Sequence, residues 1–142
     1  MLCCLLGLML AAPGAQANDR TLKATMASWS HRIAVDAHGI GLSALRRHPR
    51  RMMHRAQHFR ADALRARRAI AAQKPSSARG RRARRLSLFA FADYAVVGRE
   101  WALSGKARLQ GRKAVAFRHA AAAKQFSRKG NRLLLSAGRL LR

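Results

Sequence analysis

Acidic residues are scarce in this chain. Its 142 residues include 5 Asp and Glu against 30 Lys and Arg, a formal net charge of +25 at pH 7. Carboxylate chemistry therefore has little to work with. Cysteine is scarcer still, and both examples, Cys3 and Cys4, lie in the first few residues. Beyond them no disulfide, thiolate metal site or cysteine nucleophile can be built. No apolar run reaches the ~20 residues needed to span a bilayer as a helix. The longest, Leu2 to Ala12, is too short. Strand-like alternation of useful length is absent, which excludes a sheet-based core. Also lacking are a Gly-rich phosphate loop, a c-type haem motif and a Gly-x-Ser-x-Gly elbow.

Residues 1–17 carry no charged side chain and end in Ala15-Gln16-Ala17. An apolar core of this length followed by a small-x-small site is the pattern of a cleavable signal peptide, although no Lys or Arg precedes the core. Cys3 and Cys4 lie inside the apolar run and not just after the site, so this is not a lipoprotein signal. The expectation is an exported protein whose mature chain, 18–142, begins at Asn18 and carries every Lys and Arg. Hydrophobic residues make up 49% of the sequence, enough for one folded domain. Much of that share is alanine, which predicts a thin core and closely spaced helices.

Apolar residues recur every three or four positions along the mature chain. Leu22, Met26, Trp29, Ile33, Ala37, Ile40 and Ala44 draw a stripe on a first helix over about 19–45. His48-Pro49 breaks it, because proline disfavours helical geometry in its predecessor and suits the first position of a new helix. Met52, Ala56, Phe59, Ala63, Ala66 and Ile70 then form a heptad-like seam of mostly small residues that needs a partner helix. Residues 74–85, Lys-Pro-Ser-Ser-Ala-Arg-Gly-Arg-Arg-Ala-Arg-Arg, read as a basic linker whose arginines can also begin a third helix.

The third helix covers about 86–109 with Leu86, Phe89, Ala90, Val96, Val97, Trp101, Leu103 and Ala107. Gly98 and Gly105, seven apart, share a face that lets another backbone approach. A break near Gln110-Gly111 precedes a final amphipathic helix with Phe117, Ala121, Phe126, Gly130, Leu133, Leu134, Ala137, Leu140 and Leu141 on its apolar side. The fold these elements predict is all-α, an antiparallel four-helix bundle of two hairpins. Without the break, three helices with one long bent C-terminal member would result. Agreement among the stripes, the breaks and the N-terminal pattern is not what a chance reading frame in GC-rich DNA supplies.

Candidate chemistry is thin. Of six histidines only His54 and His58 have the i, i+4 spacing that lets two imidazoles share a metal, and Arg55 stands where a zinc hydrolase needs its glutamate. They read as solvated surface residues, and no metal or cofactor is expected. Asp36, Asp93 and Glu100 fall on or beside apolar stripes, where an acid in so cationic a chain is expected to pair with a cation across a helix interface rather than act in catalysis. Trp29, Tyr94 and Trp101 read as core.

The charge itself is the strongest indication of function. A polycation this small concentrates polyanions around it and is stabilised by binding them. Arg79, Arg81, Arg82, Arg84 and Arg85 in the linker and Arg128, Lys129, Arg132 and Arg139 on the last helix are the candidate polyanion-binding residues. The expectation is a non-enzymatic protein that associates with an anionic polymer or anionic membrane surface of the cell envelope. Two alternatives remain open from sequence: a cytoplasmic nucleic-acid-binding protein, and a membrane-active amphipathic helix over 117–142.

Overall fold

In a computed structural model that describes residues 13–142, with side chains from residue 18 onward, the chain forms four helices. These are α1 (Pro13–Leu45), α2 (Pro49–Ala72), α3 (Ala78–Leu109) and α4 (Lys113–Leu140). Residues 1–12, most of the expected signal peptide, lie outside the described residues, and 13–17 are the start of α1. Links at 46–48, 73–77 and 110–112 are so short that consecutive helices must run antiparallel. The result is an all-α four-helix bundle. Among the described residues no helix is long and apolar enough to cross a membrane.

The link between α2 and α3 is shorter than the sequence suggested. Only residues 73–77 are non-helical, and Arg79 to Arg85 are the first turns of α3. Five arginines at a helix N-terminus oppose the helix dipole. Asp19 of α1 supplies the missing negative charge: its carboxylate accepts hydrogen bonds from the Ser76 backbone N–H, at 3.2 Å, and from the Ser77 hydroxyl. Ser77 is the N-cap of α3 and accepts from the Gly80 N–H at 2.8 Å.

α3 is the central element, packed extensively on α2 and α4, while α1 lies mainly on α2. The seam expected on α2 is the buried one: Met52, Ala56, Phe59, Ala63, Ala66 and Ile70 are all at most 2% exposed. Its alanines let α3 come close. A Cβ on Gly98 would lie 2.8 Å from the Ala56 carbonyl oxygen, and one on Gly105 would lie 3.0 Å from that of Pro49, so the two glycines share the α2-facing side. At mid-bundle the rings of Phe59 and Phe91 meet Tyr94 edge-on, with centroids 6.1 and 5.8 Å away.

α4 is seated on its expected stripe from Phe126 onward and differently before it. Ala116, Ala120, Ala123, Gly130 and Ala137 are buried against α3, whereas Phe117 is 75% exposed and Ala121 is also outside. On α3, Phe89 likewise faces outward. Small residues win the interior because they permit a close helix approach; Gly130 lies under the Tyr94 ring, where a Cβ would come within 2.9 Å. Phe126, Leu134, Leu140 and Leu141 are left half-buried against the core.

Candidate polyanion-binding surface

All five carboxylates are engaged within the protein. Asp36 of α1 lies 3.0 Å from His58 Nδ1 of α2. Asp62 of α2 is buried and held by Arg65 one turn on. Asp93 of α3 accepts from Lys129 Nζ of α4 at 3.2 Å through Oδ1, while its buried Oδ2 has no partner. Glu100 of α3 accepts from Arg99 at 2.8 Å and meets His119 Nδ1 of α4 at 2.7 Å. With Asp19 at the α3 N-terminus, four of the five acids bridge one helix to a different element.

Their environments set their protonation. Burial pushes Glu100 toward a higher pKa, but the hydrogen bonds and charges of His119 and Arg99 outweigh it and hold the carboxyl below its ordinary value. Burial, with the Asp93 charge next door, pushes the Tyr94 phenol from 10.0 up to about 12. The hydroxyl donates to Asn131 Oδ1 of α4.

The His54 and His58 pair does not form a shared site; His58 turns to Asp36. One imidazole nitrogen of His58 and carboxylate oxygens of Asp36 and Asp62 come within 4.8 Å of one another. This grouping escaped the sequence reading because Asp62 was not singled out. Its only local signal is an acid at the edge of the α2 seam, three residues before Arg65. His58 pairs with Asp36 across α1 and α2, whereas Arg65 pairs with Asp62 within α2.

The candidate cations divide into two groups. Arg79, Arg82, Arg85, Arg128, Arg132 and Arg139 are exposed. The other three make hydrogen bonds within the protein, although Arg81 and Lys129 are exposed as well. Arg84 is half-buried and donates to the carbonyls of Ile70 and Ala71, capping the C-terminus of α2. Arg81 donates to the Ser76 carbonyl at 2.5 Å. Lys129 holds Asp93. Arg79 joins Arg20, Lys23 and Arg142 around a recess at one end of the bundle, and Arg128 and Arg132 line a shallow one on α4. No single cleft gathers all nine.

At the opposite end, the turns 46–48 and 110–112 border a half-open cavity of about 660 Å³. Arg47, His48, Arg108 and Lys113 line it together with Met52, Ala116 and Phe117. Sequence reading did not find this group, because its members come from two separate turns. No known protein family, characterised protein or solved structure matches the chain.

Proposed function

We propose that the protein is a non-enzymatic, exported polycation that associates electrostatically with an anionic component of the cell envelope. The observation that supports this reading is that every one of the five carboxylates is already engaged inside the protein while most of the cations face solvent. Intramolecular pairing leaves the surface charge uncompensated, and such a surface draws in polyanions without reading their sequence or shape. An anionic partner that shields this charge also relieves self-repulsion, so binding raises stability.

The alternative of α4 as a free membrane-active helix has less support, because α4 uses its Ala and Gly face to pack on α3. The export half of the reading is tested by intact mass spectrometry of the protein from its native host. The expected product begins at Asn18 and lacks Cys3 and Cys4. An uncut chain confined to the cytoplasm would overturn export and move the partner to nucleic acid.

A further inference from the structure

α1 and α3 both end in a six-to-one, five-to-two hydrogen-bonded turn, and the two turns lie at the same end of the bundle. In the first, His48 N–H donates to the Ser43 carbonyl at 2.9 Å and Arg47 N–H to that of Ala44 at 3.2 Å. In the second, Arg112 N–H donates to Ala107 at 2.9 Å and Gly111 N–H to Arg108 at 3.1 Å. This is the Schellman geometry, whose C′ residue is left-handed and is normally glycine. Gly111 fits that rule with φ 70°. Arg47 breaks it, holding φ 55° with a full side chain, and no other non-glycine residue among the described ones has positive φ. A β-carbon in this region collides with its own carbonyl, so arginine here costs stability that glycine would not.

The strained residue lines the 660 Å³ cavity between the two turns. With it are His48, Arg108 and Lys113, and no carboxylate is among the lining residues. Two arginines, a lysine and His48 therefore border one space that no carboxylate borders. The same end carries the N-termini of α2 and α4, whose N-cap residues His48 and Arg112 make no side-chain capping hydrogen bond. The C-termini of α1 and α3 lie there too, so the helix dipoles oppose one another and the basic side chains supply the positive potential. The remaining wall is apolar, with Ala44, Met52, Ala116 and Phe117.

We infer that this cavity binds a phosphate monoester carried on an apolar body, with Arg47, Arg108 and Lys113 on the phosphate and Met52 and Phe117 against the apolar part. Strain at Arg47 is retained because it places a guanidinium where the glycine of the companion turn has none, and a planar guanidinium matches phosphate oxygens two at a time. The cavity is several times larger than a bare phosphate group needs, which favours the head group of an anionic lipid over inorganic phosphate. This deepens the polyanion reading, adding one built site to a diffuse surface.

The test uses calorimetric titration of the full chain with dihexanoyl phosphatidic acid below its micelle-forming concentration. Inorganic phosphate and dihexanoyl phosphatidylcholine are run beside it. Phosphatidic acid should bind more tightly than either. Arg47→Gly should weaken that binding about ten-fold while raising the melting temperature, and Arg108→Gln should weaken it to a similar degree without changing the fold. Equal affinity for inorganic phosphate would overturn the apolar half of the assignment. Phosphatidic acid binding that survives both substitutions would overturn the site, as would a lower melting temperature in Arg47→Gly. Each variant removes one of 30 basic residues, so binding to duplex DNA at low salt should hardly change. Loss of the lipid site with DNA binding intact therefore concerns the cavity alone, whereas failure of the parent protein to bind DNA would count against the diffuse reading instead.

Discussion

The hydroxyl of Tyr94 on α3 donates to Asn131 Oδ1 on α4 across 2.6 Å, above a ring packed between Phe59 and Phe91. This joins the aromatic centre of the bundle to its last helix. Because Tyr94 is the single tyrosine, absorbance near 295 nm reads its ionisation without interference from another phenol. The folded pKa is raised from 10.0 to about 12, so the neutral phenol is the form the fold favours. Stability linked to it is fully present below pH 10 and falls as pH rises toward 12, by an amount on the order of 2 kcal/mol. A phenol that titrates near 10 in the folded protein would contradict the packing described here.

Two helical glycines should respond oppositely to alanine. At Gly98 an added Cβ meets the Ala56 carbonyl and the Arg60 backbone at 2.8 Å, whereas at Gly41 it meets nothing within 4 Å. Gly98→Ala is expected to destabilise by about 1–3 kcal/mol through forced separation of α2 and α3. Gly41→Ala should stabilise by roughly 0.5–1 kcal/mol because alanine is the better helix former. Urea denaturation of both variants decides this. Equal effects would mean that the close contact between α2 and α3 is absent in solution.

Glu100 should matter more than Asp36. The Glu100 carboxylate is nearly buried and meets both His119 and Arg99, while Asp36 is half-buried with one partner. Glu100→Ala is expected to cost about 1–3 kcal/mol, reduced from a fully buried pair because Arg99 is largely exposed. Asp36→Ala should cost less than about 1 kcal/mol. Since the folded pKa of Glu100 is depressed, its contribution is present above the unfolded value of about 4.3 and is lost as pH falls through the folded one. Thermal melting at pH 7 and pH 3 measures this, and the gap between the parent protein and Glu100→Ala should narrow in acid. A gap that stayed constant would show that the carboxylate charge is not the source of the stability.

Asp19 should support α3 at a distance in sequence. Asp19→Asn keeps the size and one of the two acceptor oxygens but removes the negative charge beside Ser77 and Gly80. It should destabilise by about 0.3–1 kcal/mol at low salt, and by less as salt is added. A loss that did not depend on salt would point to hydrogen bonding alone.

Parts of this architecture were legible in the sequence for reasons that can be named. The α2 seam from Met52 to Ile70 could be read completely, because a heptad of small residues permits only one face to be buried. Gly98 and Gly105 announced a close neighbour by their spacing. The seating of the first turns of α4 could not be read from bulk: Phe117 looks like core, but the interior favours Ala116 and Ala120, which allow α3 to approach. Arg84 looks like a free surface charge in the sequence, since nothing near it reveals that the C-terminus of α2 lies beside it. The role of Asp19 is hidden in the sequence for the same reason, since Ser77 is 58 residues away. Diffuse surface charge is a property of composition and is visible before folding, whereas the cavity at Arg47 and Arg108 exists only once two turns meet.

The central claim is tested most directly by the salt dependence of polyanion binding. Fluorescence anisotropy with two labelled DNA duplexes of unrelated sequence, from 50 to 200 mM salt, serves as the measurement. Contact with 6–10 phosphates should lower affinity by about 10³–10⁵ over that range, equally for both duplexes. Replacing Arg79, Arg82, Arg85, Arg128 and Arg132 by Gln should flatten the slope and leave helicity unchanged, because these side chains are exposed, unlike Arg84, which caps α2. A shallow slope in the parent protein, or a clear preference for one duplex, would contradict a diffuse electrostatic surface.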